Sequence, residues 1–267
     1  MYRFFLVVCF GWLAGLGLAA EPAPAFFTSP SASVLVWGGN GMNGDHFVDS
    51  ALPALRKHYA GVKKVVLVLY GTIPSDHARM EKRLQSAFAH LGGIATESLH
   101  SHDAAGQRAL LENADGIFVS GGETFVLLSE LYRTGQLELI RARVLAGVPY
   151  GGTSAGANVA GLLIGTTNDF PTAEIPSRKA LGVFPAVINP HHPSPATKAD
   201  FDGRQQKIKI YLQFNPTETV LALGNASIAR LNGGRVTLEA GQGWLYRSDG
   251  VLELNPGDDV AELAVKP

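Results

Sequence analysis

In the stretch Pro149-Tyr150-Gly151-Gly152-Thr153-Ser154-Ala155-Gly156-Ala157-Asn158, a short apolar run gives way to glycines, a serine and then small helix formers. The spacing Gly152-x-Ser154-x-Gly156 is that of a nucleophile elbow, a tight strand-to-helix turn that holds a serine in a strained, exposed conformation. The flanking glycines remove the Cβ atoms that would collide where the strand doubles back over the helix. A serine placed there sits at a helix N-terminus, where unpaired N–H groups and the helix dipole favour an oxyanion. The chemistry on offer is nucleophilic attack on a carbonyl, given a base and an orienting group from elsewhere in the chain. The same positions also suit a small-residue turn that packs a helix closely on a sheet, and the pattern alone leaves both open.

Two downstream segments carry the other residue types. Thr166-Thr167-Asn168-Asp169-Phe170-Pro171 holds a carboxylate, and Val187-Ile188-Asn189-Pro190-His191-His192 puts a histidine behind an apolar strand. Serine, then aspartate, then histidine is the chain order of the α/β hydrolases. A turn aspartate and a pair of loop histidines are the plain alternatives. The chain has no His-Glu-x-x-His or comparable ligand pair, and His100-Ser101-His102-Asp103 reads as solvated loop rather than a metal site. Neither metal nor cofactor is expected.

Positioning such groups needs rigid elements. Ser33–Trp37, Lys64–Tyr70 and Gly116–Ser120 are continuous apolar runs, each ended by glycine, as expected of strands buried on both faces. Helical spacing is expected over Asp45–Tyr59, from a Ser75 cap through Leu91, around Arg108–Leu111, over Thr124–Tyr132 and over Leu137–Leu145. Strands alternating with amphipathic helices predict an α/β fold, a three-layer, doubly wound, mostly parallel sheet, with function gathered at the carboxyl ends of the strands. Two C-terminal β-hairpins are expected, one around Asn232-Gly233-Gly234 and one around Ser248-Asp249-Gly250. They extend a single domain over residues 32–267.

The 267 residues are 46% hydrophobic and 17% charged, a globular composition with enough chain for one large core. A formal net charge of −1 gives no electrostatic basis for a nucleic-acid partner or an acidic membrane surface. Arg3, an apolar run from Phe4 to Ala20 and the following Glu21-Pro22 describe a secretory signal over residues 1–20, with cleavage after Ala19 or Ala20. An uncleaved anchor is the alternative. A Pro-, Ala- and Ser-rich leader spans residues 21–31. The only cysteine, Cys9, lies inside the signal, so the mature chain has no thiol chemistry and suits an oxidising compartment, periplasmic or extracellular. No stable membrane association is expected after cleavage.

With these motifs in order, the sequence resembles the peptidase E (aspartyl dipeptidase) family of serine peptidases, related to the cyanophycinases. The resemblance runs from about residue 33 to 260. It rests on Ser120-Gly121-Gly122-Glu123-Thr124, Gly152-Thr153-Ser154-Ala155-Gly156, Thr166-Thr167-Asn168-Asp169-Phe170-Pro171, Ala180-Leu181-Gly182-Val183-Phe184-Pro185 and Ile188-Asn189-Pro190-His191. It implies a class I glutamine amidotransferase-like fold and a small peptide as substrate. It implies Ser154 as nucleophile, His191 as base, Asp169 as third member, and an oxyanion hole from the Gly122 and Ala155 N–H groups. Arg204, in Gly203-Arg204-Gln205-Gln206-Lys207-Ile208, is the implied reader of an N-terminal aspartate side chain. Glu123 stands where the family has asparagine; it suits either the substrate's α-amino group or the first turn of the next helix. Thr153 stands where peptidase E commonly has tryptophan, which is closer to the cyanophycinase form. A third member has also been considered in a loop after a late strand, but Leu223-Gly224-Asn225-Ala226 offers no carboxylate. Three functions remain: an exported dipeptidase for N-terminal aspartate, a hydrolase of β-aspartyl links, and an inactive peptide-binding homologue.

Overall fold

The apolar runs become strands whose alternate side chains enter two separate cores. The computed structural model describes residues 26–27 and 29–263, so the expected signal and residues 21–25 and 28 of the leader lie outside the described residues. The chain runs β1 (Ser33–Trp37), a small hairpin of β2 (Met42–Asn43) and β3 (His46–Phe47), α1 (Leu52–His58), β4 (Lys64–Val68), α2 (His77–Gly92) and β5 (Ala95–Ser98). It continues through α3 (Ala104–Glu112), β6 (Gly116–Val119), α4 (Thr124–Arg133), α5 (Gln136–Leu145), β7 (Tyr150–Thr153) and α6 (Ala155–Ala160). The last part holds β8 (Val187–Asn189), α7 (Lys198–Phe214), β9 (Val220–Leu223), β10 (Ile228–Asn232), β11 (Arg235–Ala240), β12 (Gly243–Arg247) and β13 (Gly250–Leu254).

The main sheet has the order β11-β10-β1-β7-β6-β4-β5, parallel from β1 to β5 and antiparallel at β10 and β11. In β4, Val65 and Leu67 face α1 and α2 and meet Leu55, Phe88 and Phe118. Val66 and Val68 face the opposite way, toward α3–α6. This period-two division makes three layers, with helices over both faces, as the unbroken apolar strands require.

Both C-terminal hairpins form, but they join different sheets. The β10–β11 hairpin extends the main sheet. The β12–β13 hairpin instead pairs with β9, and β9 pairs in parallel with β8, in a second sheet of order β13-β12-β9-β8. The third cluster, including Val187, Ile208, Leu212 and Trp244, packs α7 against this small sheet.

Two local expectations fail. The helical spacing from Asp45 is not used, because Phe47 belongs to β3 and the α-helix begins only at Leu52. Gly44, at φ 64°, turns the β2–β3 hairpin, and that local turn overrides the spacing. Ser75 does not cap α2; it lies in a 3₁₀ turn over Pro74–Asp76 that feeds the helix, where Pro74 takes the first position.

Candidate active site

Ser154 sits between β7 and α6 with φ 53° and ψ −113°, a conformation that L-residues avoid and that the strand-helix turn imposes. Its N–H donates to the Trp37 carbonyl at the end of β1 (2.9 Å). The helix can lie so close to the sheet because Gly156 has no side chain: a Cβ there would stand 2.2 Å from the Val119 carbonyl oxygen. The elbow expected from sequence is present.

His191 follows β8 and also has positive φ, 52°, held by its N–H donating to the Gly38 carbonyl (2.9 Å). Its Nε2 lies 2.8 Å from Ser154 Oγ. Its Nδ1 lies 2.5 Å from Oδ1 of Asn225, in the turn between β9 and β10. Asn225 is itself fixed by its backbone carbonyl, which accepts from Trp37 Nε1 (3.0 Å). An amide oxygen can only accept, so Nδ1 carries the proton and Nε2 keeps the lone pair that receives the Ser154 hydroxyl.

Asp169 is therefore not the group that orients the base, and the sequence-based assignment is corrected. Its Oδ2 accepts from the Thr124 N–H (2.8 Å) and from Thr124 Oγ1 (2.5 Å). Glu123, which precedes α4, makes no side-chain cap bond, and the first N–H of that helix, on Thr124, takes its acceptor from Asp169, 45 residues along the chain. Asn225 carries no carboxylate, yet an amide oxygen facing Nδ1 can hold a histidine in the required tautomer. The stretch Leu223-Gly224-Asn225-Ala226 names the right loop, but its sequence alone does not mark the asparagine.

Gly122 lies in a loop packed against the nucleophile, and Ala155 follows Ser154 directly. Gly122 has φ 130°, and a Cβ there would meet the Gly71 carbonyl oxygen at 2.1 Å. The Glu123 N–H donates to that same carbonyl (2.8 Å) and pins the loop. A Cβ on neighbouring Gly121 would approach Ser154 Cβ to 3.0 Å, which brings this loop against the nucleophile. Ala155 opens α6, so its N–H has no acceptor within the helix.

Ser154, His191, Gly122 and Glu123 line one cavity of about 520 Å³. Glu123 is exposed and accepts from Thr172 Oγ1 (3.4 Å). Arg204 is not in that cavity. It stands on α7 and lines a second one, about 370 Å³, with Thr166, Thr167, Asn168 and Lys207. Its Nη1 donates to Asn189 Oδ1 (3.2 Å), two residues before His191. Burial lowers its pKa from the ordinary value. Among the described residues it has no carboxylate partner, a half-desolvated cation facing hydroxyl and amide groups. His100 and His102 pair with Glu81 (3.4 Å) and Glu97 (3.0 Å).

A hydroxyl hydrogen-bonded to an oriented imidazole, beside unpaired N–H groups at a helix start, can carry out acyl transfer. The model of Peptidase family S51 matches residues 34–239. Peptidase E of Actinobacillus pleuropneumoniae serotype 7 (strain AP76) is 35% identical over 216 residues, covering 78% of this chain and 91% of that protein. Peptidase E of Streptomyces coelicolor is 33% identical over 235 residues, covering 86% and 94%. The crystal structure of a peptidase from an acI-B1 Actinobacterium superposes with a TM-score of 0.66 at 15% identity, covering 86% of this chain and 96% of that one. That likeness carries the fold, of the class I glutamine amidotransferase-like type.

Proposed function

The chain belongs to peptidase family S51 and is a serine peptidase, and from that premise we propose that it is an exported dipeptidase acting on short peptides with N-terminal aspartate. The observation that carries the catalytic half is the run of contacts from Ser154 Oγ to His191 Nε2 and from His191 Nδ1 to Asn225 Oδ1. His191 takes the Ser154 proton as Oγ attacks the peptide carbonyl. The Gly122 and Ala155 N–H groups receive the developing oxyanion; one such donor is worth about 10²–10³ in rate. The tetrahedral intermediate collapses as His191 returns the proton to the leaving amine, and water, activated by the same imidazole, then hydrolyses the ester on Ser154.

Specificity for aspartate is supported by the Arg204 guanidinium, which has no acidic partner among the described residues and bonds to Asn189 on the strand that delivers His191. A planar guanidinium grips a carboxylate with two parallel hydrogen bonds. Glu123, one residue from the oxyanion loop, has the charge to receive the substrate's α-ammonium group. Thr153 favours a second specificity, for β-aspartyl links. An inactive homologue is disfavoured by the closed contact between Ser154 and His191.

The test is hydrolysis of Asp-Leu, β-Asp-Leu, β-Asp-Arg and Ala-Leu, with Ser154→Ala as blank. Cleavage of Asp-Leu over Ala-Leu supports the proposal. Preference for the β-linked pair replaces it with the second specificity, and equal cleavage of Asp-Leu and Ala-Leu removes aspartate recognition. Export is supported by the charge and hydropathy pattern of residues 1–20. It is tested by the mass of the protein recovered from the periplasm or medium, and retention of the full chain in the cytoplasm would overturn it.

A further inference from the structure

The cavity in front of Ser154 has a character that the catalytic groups do not explain. Away from them its wall is apolar: Met42, Phe47, Met80, Leu84 and Phe118. Of these, Phe47, Leu84 and Phe118 are almost fully buried, so the wall is continuous with the core between α2 and the sheet. Besides Glu123 next to the catalytic groups, three charged side chains line it: Asp76, Arg79 and Arg83. The first two neutralise each other, with Arg79 Nη2 donating to Asp76 Oδ2 (2.9 Å). Arg83 is different. Its Nε and Nη2 both donate to the Gly44 carbonyl (2.9 and 2.7 Å), which fixes the guanidinium on the β2–β3 hairpin without cancelling its charge. Among the described residues it forms no ion pair.

An apolar wall with one fixed, unneutralised cation matches an apolar amino acid that ends in a free carboxylate, which is the C-terminal residue of a peptide. We infer that the apolar end of this cavity, away from Glu123, is the leaving-group subsite, where the apolar wall takes the side chain of the second residue and Arg83 binds its C-terminal carboxylate. The inference rests on the dipeptidase assignment and deepens it. His191, which must return a proton to the leaving amine, lines this cavity and not the one around Arg204. The two cavities also differ in kind: the one around Arg204 offers cations, hydroxyls and amides to an acid, and this one offers hydrocarbon to an apolar side chain. Arg83 then also sets substrate length. A third residue would replace the carboxylate with a neutral amide, and the guanidinium would lose its charged partner.

The experiment compares Asp-Leu, Asp-Leu amide, Asp-Gly and Asp-Leu-Ala on wild type and on Arg83→Gln. A charge-assisted hydrogen bond lost at this position corresponds to about 10- to 100-fold in kcat/KM. Wild type should therefore favour Asp-Leu over its amide and over Asp-Leu-Ala by about that factor, and should favour Asp-Leu over Asp-Gly. Arg83→Gln should lower kcat/KM for Asp-Leu, chiefly through KM, and leave the amide within about twofold. Equal treatment of acid and amide by wild type overturns the inference. An equal fall on both in the variant also overturns it, since that is what a loosened hairpin would produce. The same contrast run on Ala-Leu and its amide separates this inference from aspartate recognition: if Ala-Leu matches Asp-Leu, aspartate recognition fails while the acid-against-amide contrast still decides the role of Arg83.

Discussion

His191 Nδ1 donates to Asn225 Oδ1 at 2.5 Å, so the base is oriented by a neutral amide and not by a carboxylate. An amide fixes the tautomer as a carboxylate would, but it adds no negative charge to stabilise the imidazolium formed during attack. Asn225→Ala should lower kcat by about 10²–10⁴ with the fold intact. Asn225→Asp tests the charge itself. A carboxylate against the ring favours its protonated form, so the acid limb of kcat/KM, which reports loss of the neutral base, should move up by about one pH unit. An unmoved limb would mean that Asn225 does not orient the base.

Asp169 holds the start of α4, two residues after Gly122, by accepting from Thr124. Asp169→Ala should lower stability by about 1–2 kcal/mol, the usual cost of a lost helix cap, as read from the urea midpoint. It should also lower kcat, since Gly122 lies just before this helix, yet leave the acid limb in place. A shifted limb would return Asp169 to the base.

Gly39 marks how tightly His191 is enclosed. A Cβ at this position would stand 2.1 Å from His191 Cε1, and the backbone there has φ 142°. Gly39→Ala should displace the ring and cost kcat about as much as losing the base, on the order of 10⁴ or more, with far-ultraviolet circular dichroism unchanged. Near-normal turnover in that variant would place the working position of the ring elsewhere.

Arg204→Ala should raise KM for Asp-Leu by about 10-fold or more while hardly altering Ala-Leu, because only the first substrate brings a carboxylate to the guanidinium. Equal effects on both would remove Arg204 from substrate recognition.

Stability should fall in acid through His58. It is buried between Ser33 Oγ (3.3 Å to Nδ1) and the Tyr150 carbonyl (2.9 Å to Nε2), and desolvation, with Arg230 adding to it, brings its pKa down to about 3. The unfolded chain takes up this proton below about pH 6.5 while the folded chain does not. The stabilisation is therefore complete above that pH and declines by about 1.4 kcal/mol per unit as the pH falls toward 3. His58→Gln should flatten the slope in urea titrations across this window, and an unchanged slope would assign the acid sensitivity to another group.

The parts of this molecule that follow from local pattern were legible in the sequence. Val65-Val66-Leu67-Val68 could only be a strand covered on both faces, and Gly152-x-Ser154-x-Gly156 could only be used catalytically if a base reached it. Contacts made over long sequence separations were not legible. Nothing around Asn225 distinguishes it from an ordinary turn residue; its role comes from pairing β9 with β8, which brings the turn against His191. Asp169 was drawn away by an equally distant partner, the start of α4. Arg204 could be picked out by its motif, but its placement in a second cavity depends on how α7 packs on the small sheet. The β2–β3 hairpin was hidden because Phe47, Val48 and Ala51 satisfy a helical period that the Gly44 turn does not allow.

Ser154 is delivered by the large sheet and His191 by the small one, while Asn225 sits on the chain that steps from one to the other between β9 and β10. The catalytic contact thus acts as a calliper across the seam between two sheets. A parting of an ångström along that seam breaks the proton path while leaving both sheets internally whole. Turnover should therefore fade at gentler heating than any spectroscopic sign of melting, and a ligand that spans the seam should restore it.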